Sequence, residues 1–238
     1  MNIRGFTNPN VEIVLKVGGS LLAAPPSCKQ FLDELTSLAL EGRRIVIVPG
    51  GGPTDNTLET LDKALSLELR TAHRACALAQ DQTGLVLCDG ALSHGLVPCS
   101  TFQELRSTLD AGYVAVILPS PFIFLLDPIE QTWEVTSDAV GAWFAWLLDA
   151  KRFAVITNVD GVFADGEVAR PEKLIKCISA EQLVDLGHTA IDLCAASFLA
   201  SRRLDCTVLN GFVPGRLRGW VEGASVIGTL VEGDSRAR

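Results

Sequence analysis

The chain has 238 residues, of which 48% are hydrophobic and 20% charged, and its formal net charge is −8. This composition predicts a compact globular protein with a sizeable core, and the negative balance argues against nucleic acid or an anionic membrane surface as a partner. No stretch approaches the ~20 consecutive apolar residues that a membrane-spanning helix needs, and the seven cysteines show no CxxC spacing. We therefore expect a cytoplasmic protein with reduced thiols.

The first predicted strand ends in a lysine and a glycine loop. The apolar run Val11–Leu15 continues into Lys16, and Gly18, Gly19 and Ser20 follow directly. Glycine permits close backbone approach, and a loop between a strand and a helix can aim several N–H groups at an anion. An uncompensated lysine at the end of a buried strand is costly, so Lys16 is difficult to explain as a structural residue. The stretch predicts a phosphate site.

A second loop of the same kind follows the second predicted strand. Ile45–Val48 runs into Gly50, Gly51 and Gly52, which prolines flank on both sides. Thr54–Asn56 then has the residue types of a helix cap. Two strand ends that both open into glycine loops, one of them with a lysine, favour phosphate chemistry.

The middle of the chain alternates strands and helices. Tyr113–Leu118 predicts a buried strand, whereas the apolar run Phe122–Leu126 fits either a strand or a buried loop. Thr136–Asp138 has the pattern of a cap for a strongly apolar helix over residues 139–149.

The last third repeats the alternation. Arg152–Thr157 predicts a strand that opens into the loop Asn158–Phe163, a small-residue helix follows from about 191 to 203, and Cys206–Leu209 predicts a further strand. Strands that alternate with helices predict an α/β fold with a parallel or mixed sheet covered on both faces. Because no linker or internal repeat is visible, we expect a single domain over residues 1–238, with residues 1–10 as a loose lead-in.

In a parallel α/β sheet, ligands bind at the carboxyl ends of the strands. Four stretches of interest lie at such ends or at helix starts, namely Lys16–Ser20, Pro49–Gly52, Thr136–Asp138 and Thr157–Phe163. Each alone has an ordinary explanation as a turn or a cap. Their coincidence at one edge of the sheet predicts a site.

The order and spacing of these stretches resemble the amino-acid kinase family, which includes acetylglutamate, carbamate, aspartate and uridylate kinases. The resemblance spans roughly the whole chain and rests on Lys16–Ser20, Val48–Gly52, Ser137–Asp138 and Thr157–Phe163. It implies a three-layer α/β/α sandwich with a mainly parallel central sheet, in which the N-terminal half binds the acceptor and the C-terminal half the nucleotide. Within the family, Ile117–Ser120 and Trp133–Asp138 look most like the small archaeal kinases of methanofuran biosynthesis, which phosphorylate an aminomethyl-furanmethanol phosphate.

The resemblance also implies roles for individual residues in a kinase that uses ATP and Mg²⁺ on a small-molecule acceptor. Lys16 would neutralise charge on the transferred phosphoryl group, and Asp138 would orient the lysine or help to hold Mg²⁺, with no metal ligand assigned beyond this. The implied acceptor and phosphate contacts are Gly18, Gly19, Ser20, Gly50, Gly51, Gly52 and Ser137. The implied nucleotide contacts are Thr157, Asn158, Asp160, Gly161, Val162 and Phe163. Transfer would be in line, without a covalent enzyme intermediate.

One departure from the family pattern is a missing cation. The family commonly places a second lysine near the start of a C-terminal helix, and the corresponding segment, residues 193–203, contains none. Arg202 or Arg203 could substitute, or Lys173 or Lys176 could reach in, although a solvated helix end explains the arginines more simply. The gap keeps open a non-catalytic nucleotide-binding protein with a regulatory or storage role. A kinase acting on a carboxylate, a carbamate or a nucleoside monophosphate is the other alternative.

The histidines and two apolar helices give weaker indications of function. The three histidines, His73, His94 and His188, show no metal-ligand spacing, and His73 falls where a substrate-side helix is expected. The apolar helices predicted over residues 71–87 and 139–149 favour a homo-oligomer.

Overall fold

A computed structural model describes residues 9–126, 128–166, 170–187 and 189–233, so most of the predicted lead-in and His188 lie outside the described residues. The strands form one eight-stranded sheet in the order β3-β4-β2-β1-β5-β7-β8-β6. Their bounds are β1 Ile13–Val17, β2 Ile45–Pro49, β3 Leu96–Cys99, β4 Val114–Ile117, β5 Arg152–Thr157, β6 Cys177–Ser179, β7 Cys206–Asn210 and β8 Thr229–Glu232.

The first six strands of this order are parallel, and β8 pairs antiparallel with β7. Because β6 pairs parallel with β8, these last two strands run opposite to the rest. The carboxyl ends of β2, β1, β5 and β7 therefore lie side by side along one edge of the sheet.

The described helices connect the strands across both faces. They are α1 Pro25–Leu40, α2 Gly52–Leu65, α3 Leu69–Leu87, α4 Phe102–Asp110, α5 Pro119–Leu126, α6 Ser137–Leu147, α7 Ala180–Leu186, α8 Leu193–Arg202 and α9 Arg216–Val221. Short 3₁₀ turns precede α1 and β6, at Gly19–Ala23 and Pro171–Lys173. None of the described helices is long and apolar enough to cross a membrane.

The two faces of the sheet bury separate hydrophobic clusters, as the period-2 alternation of a strand requires. On β1, Ile13 and Leu15 pack into one cluster with α1 and α9, whereas Val14 packs into the other with α6 and α8. Both faces are covered, so the molecule is a three-layer α/β/α sandwich with a mainly parallel sheet, and the predicted fold class is confirmed. Lys16 follows the same alternation and lies on the α6 side.

Two local predictions were wrong. The run Phe122–Leu126 is the second part of helix α5, because a short run apolar on every side does not distinguish a strand from a buried helix. The carboxylate of Asp81 accepts the Ser120 N–H at 3.0 Å, which satisfies a donor in the first turn of that helix.

Helix α2 begins at Gly52 and not after a cap at Thr54–Asn56, so Asp55 lies inside its first turn.

Candidate functional site

A buried ion pair stands where the first strand meets helix α6. Lys16 Nζ lies 2.7 Å from Asp138 Oδ1, and the two side chains are 12% and 9% exposed. Helix α6 packs directly against this lysine because Gly141 has no side chain, and a Cβ there would stand 2.8 Å from the Lys16 Cβ. A buried charge pair of this kind costs desolvation unless further partners satisfy it, so it suggests a ligand-binding role more than a stabilising one.

The two glycine loops touch each other at this edge of the sheet. A Cβ added to Gly19 would stand 2.2 Å from the Gly52 Cα, so only glycine backbones fit there. The loops follow β1 and β2, which are neighbours in the sheet. The Ser20 Oγ and Lys16 Nζ both lie close to Gly18, at 3.4 and 3.8 Å from the position of an added Cβ. The structure therefore brings the predicted lysine, serine and glycines together.

The backbone N–H groups of the loops divide into two sets. Those of Gly18 and Gly50 donate to Ile156 O at 3.0 Å and Val17 O at 2.8 Å, so the expectation that these two donate to a phosphate is wrong: both bonds extend the ladder of the parallel sheet. Gly19, Gly51 and Gly52 donate no hydrogen bond within the described part of the chain. They begin a 3₁₀ turn and helix α2, so their N–H groups are placed as an anion site requires.

A second carboxylate, that of Asp192, is linked to the Asp138 backbone through the hydroxyl of Thr136. Sequence reasoning missed this residue. Asp192 is 4% exposed, and its Oδ2 accepts a 2.5 Å hydrogen bond from the Thr136 hydroxyl. Thr136 in turn caps α6, with its Oγ1 accepting the Asp138 N–H at 3.2 Å. Burial, together with the nearby Asp138, raises the pKa of Asp192. The available sequence signal was its N-cap position, since Asp192 Oδ1 accepts the Ala195 N–H at 2.6 Å at the start of α8.

The predicted nucleotide loop carries its own ion pair. Asp160 Oδ1 accepts from Arg216 Nη1, and from Asn210 Nδ2 at 3.0 Å. Burial alone would raise the pKa of Asp160, but these two donors outweigh it and hold that pKa below its ordinary value. Because the Arg216 side chain is only 9% exposed, it brings a second shielded cation to the carboxyl edge of the sheet. Sequence reasoning missed both partners of Asp160.

The other predicted nucleotide residues divide by exposure. Asn158 is exposed and Thr157 partly exposed at the end of β5, where a ligand can reach them. Gly161, Val162 and Phe163 are buried, and the Val162 N–H donates to the Thr229 hydroxyl at 2.8 Å. Gly161 and Val162 fix the loop to strand β8 at Thr229, whereas Phe163 pairs with Leu174. None of the three residues lies on an open surface.

The candidates for the missing cation stand at different ends of the molecule. Arg202 stacks on Trp146, 4.7 Å from its ring centroid, at the C-terminal end of α8, and a ten-residue helix places it about 15 Å from the start of α8 near Asp138. Arg203 follows it as the C-cap. Lys173 and Lys176 precede β6, and because β6 runs opposite to β1 they lie on the same edge of the sheet as the carboxyl end of β1. However, β6 is four places from β1 in the sheet, which is roughly 19 Å.

A polar cavity of about 70 Å³ opens beside helix α6 and the glycine loops. Asp55, Glu59, His73, Cys76 and Gln80 contribute its polar lining from α2 and α3. Its remaining wall consists of Ala77, Ile123, Trp133, Val135, Thr136, Ser137 and Val140. The cavity therefore reaches Ser137, the residue before Asp138, and has no lysine or arginine among its lining residues.

Comparison with known proteins identifies a family for the chain. The profile of the amino acid kinase family matches residues 12–210. The [5-(aminomethyl)furan-3-yl]methyl phosphate kinase of Methanocaldococcus jannaschii is 28% identical over 92% of this chain and 97% of its own. The uridylate kinase of Natronomonas pharaonis is 27% identical over 91% and 96%. Among solved structures, the uridylate kinase of Archaeoglobus fulgidus superposes with a TM-score of 0.72 at 21% identity, covering 93% of this chain and 100% of that one.

Proposed function

The chain belongs to the amino acid kinase family, whose members are ATP-dependent phosphotransferases, and we propose that it transfers the γ-phosphoryl group of ATP to a phosphorylated furan acceptor. The similarity to the [5-(aminomethyl)furan-3-yl]methyl phosphate kinase of Methanocaldococcus jannaschii supports this acceptor class, and it extends over nearly the full length of both chains. The observation that carries the kinase assignment is the Lys16–Asp138 pair beside two touching glycine loops.

The chemistry asked of these residues is mostly positioning and charge neutralisation, as in other phosphoryl transfers. Lys16 would bind the transferring phosphoryl group, and Asp138 would hold the ammonium group of that lysine in place. The N–H groups of Gly19, Gly51 and Gly52 would bind phosphate oxygens, with Ser20 and Ser137 beside them. We assign this acceptor side to the N-terminal half of a single domain and the nucleotide to the edge formed by β5 and β7.

Mg²⁺ fits this site only as a partner of the nucleotide. Among the described residues no cluster of three or more His, Cys, Asp or Glu side chains is placed to hold a metal. Magnesium is commonly held by substrate phosphates with one or two carboxylates, and Asp138 is the carboxylate at the phosphate end. When bound, the metal would add positive charge to the phosphates. Arg216, held by Asp160, is the side chain that we assign to the nucleotide side in place of the missing lysine.

The homo-oligomer expected from two apolar helices remains a prediction. Helix α6 is buried within its own chain, from Ser137 to Leu147 with the exception of the half-buried Trp146. It therefore gives no support to a subunit interface.

An acceptor panel tests the proposed function. The purified protein is incubated with ATP, Mg²⁺ and either [5-(aminomethyl)furan-3-yl]methyl phosphate, UMP, N-acetylglutamate or carbamate, and ADP is measured. We expect turnover with the furan phosphate and an acid-stable diphosphate product. An acid-labile acyl phosphate would instead support a carboxylate kinase, and ATP binding without turnover on any acceptor would support the non-catalytic alternative.

A further inference from the structure

The cavity beside helix α6 carries a charge opposite to that of the phosphate end of the site. Asp55 and Glu59 lie on successive turns of α2, and both line the cavity. Lys16 acts on Asp55 electrostatically, and Arg70 and Arg74 line a neighbouring pocket, but no lysine or arginine lines this cavity itself. An acceptor phosphate therefore has no cation to meet inside this cavity, whereas a positively charged group has two carboxylates.

The Asp55 carboxylate packs against the backbone of the second glycine loop. It occupies the space above Gly51, where an added Cβ would stand 2.0 Å from Asp55 Oδ2. Within the described chain, Asp55 Oδ1 is buried and accepts no hydrogen bond. Burial raises the pKa of Asp55, while a hydrogen bond from the Cys76 thiol opposes that shift. The same carboxylate, with burial as the larger cause, raises the pKa of Cys76 to about 12, so the thiol stays a neutral donor.

A second oxygen in the same cavity is independent of the acidic residues. Gln80 lies on α3, is 4% exposed, and lines the cavity together with Asp55. Its Oε1 is buried and accepts no hydrogen bond from the part of the chain that the structure describes. Native proteins rarely leave a buried amide oxygen unsatisfied, because the lost hydrogen bond costs about 1–3 kcal/mol. A hydrogen-bond donor on a molecule bound in the cavity would satisfy Gln80 Oε1.

Part of the cavity lining is apolar. Ala77, Ile123 and Val140 line it together with the indole of Trp133. Apolar side chains of this kind favour contact with the face of a flat ring, and a group with several N–H donors suits the oxygens of Asp55 and Gln80. A primary ammonium has three donors and a positive charge, which matches one carboxylate oxygen and one amide oxygen.

We infer that this cavity is an ammonium subsite, in which Asp55 and Gln80 bind the aminomethyl group of a flat, aromatic acceptor whose phosphate lies at Lys16. Glu59, which is exposed at the cavity rim, adds a weaker attraction. The inference rests on the proposed function for the identity of the acceptor and extends it by assigning the residues that select for the amine. It also separates this chain from a kinase for uridine monophosphate, which has no ammonium group.

Two acceptors that differ only in the amine test the subsite. The kcat/KM of the wild type is compared for [5-(aminomethyl)furan-3-yl]methyl phosphate and for (5-methylfuran-3-yl)methyl phosphate. We expect a preference of about 10- to 100-fold for the amine, as for hydrogen bonds to a charged group. In Asp55→Asn the ratio of the two kcat/KM values should fall toward one, whereas general damage to the site would lower both values and leave their ratio unchanged. Gln80→Leu should reduce the preference in the same way.

Two further variants keep the test falsifiable. Asp33→Asn, an exposed residue on α1 away from the cavity, is the matched control and should retain the full preference. The Glu59 side chain is also exposed, so Glu59→Gln is not expected to disturb folding. It should reduce the preference for the amine by a smaller factor than Asp55→Asn does. Equal use of the two acceptors by the wild type, or better use of UMP than of either, would overturn the inference while leaving the kinase in place.

A binding measurement separates the subsite from turnover. Calorimetric titration with furfurylamine and with furfuryl alcohol, in the absence of ATP, should show tighter binding of the amine to the wild type and no difference in Asp55→Asn. If no acceptor is phosphorylated but the amine is preferred, the proposed function fails and the subsite stands. If the amine and the alcohol bind equally, the subsite is refuted whatever the kinase assay shows.

Discussion

Replacing Gly19 by alanine should force the two glycine loops apart and nearly abolish phosphoryl transfer. The added Cβ would stand 2.2 Å from the Gly52 Cα and 2.6 Å from its backbone N. Carbon atoms in ordinary contact are about 3.5–4 Å apart, so one loop has to move by roughly 1 Å or more. Because both partners are backbone atoms, no side-chain rotation relieves the clash.

The expected magnitudes follow from that displacement. Overpacking of this kind costs about 1–3 kcal/mol in the free energy of unfolding, and a 1 Å misplacement of reacting groups can cost about 100-fold in rate. Urea denaturation measures the first quantity, and steady-state ADP formation with the furan phosphate acceptor measures the second. Gly90→Ala is the control, since its added Cβ would meet only the side chain of His94, at 3.3 Å. Wild-type stability and wild-type kcat/KM in Gly19→Ala would refute the contact between the loops.

Three further predictions concern other parts of the site. Asp192→Ala should lower the free energy of unfolding by about 1 kcal/mol through loss of the α8 cap, and an unchanged urea midpoint would contradict this role. The pKa of Asp160 is lowered in the folded state, so its pair with Arg216 stabilises the protein above pH 3.8, the ordinary value, and this stabilisation is lost as the pH falls through the folded pKa. Asp160→Asn should therefore weaken the dependence of the unfolding midpoint on pH in that acid range. An unchanged pH dependence of the midpoint would contradict this role of the pair. Iodoacetamide at neutral pH should label the exposed Cys177 well before the half-buried Cys76, whose pKa is raised to about 12. Peptide mapping over time measures the order, and labelling of Cys76 before Cys177 would contradict the raised pKa of Cys76.

The sequence was most informative where backbone geometry restricts residue choice. Glycines after two buried strands marked the place where two loops meet, because close contact between Gly19 and Gly52 excludes any other residue at Gly19. Lys16 at a strand end drew attention to a charged position, and the structure places it 2.7 Å from Asp138.

Sequence reasoning failed where partners are distant along the chain or patterns are ambiguous. Arg216 contacts Asp160 across 56 residues, and Asp192 reaches Thr136 across the same separation. No local spacing marks such pairs. The cavity oxygens of Asp55 and Gln80 come from two different helices, and neither residue type indicated a buried, unsatisfied atom. Asp55 was interpreted as part of a helix cap because aspartate is common there.

The central claim is that Lys16 and the loops around it transfer phosphate from ATP to an acceptor. Acceptor-dependent ADP formation by the wild type and by Lys16→Ala, with Mg²⁺ and [5-(aminomethyl)furan-3-yl]methyl phosphate, tests it most directly. The wild type should turn over, and the variant should lose about 100- to 1,000-fold in kcat, as expected when a preorganised contact to the transferring group is removed. Wild-type turnover in Lys16→Ala, or no acceptor-dependent ADP from the wild type, would contradict the account.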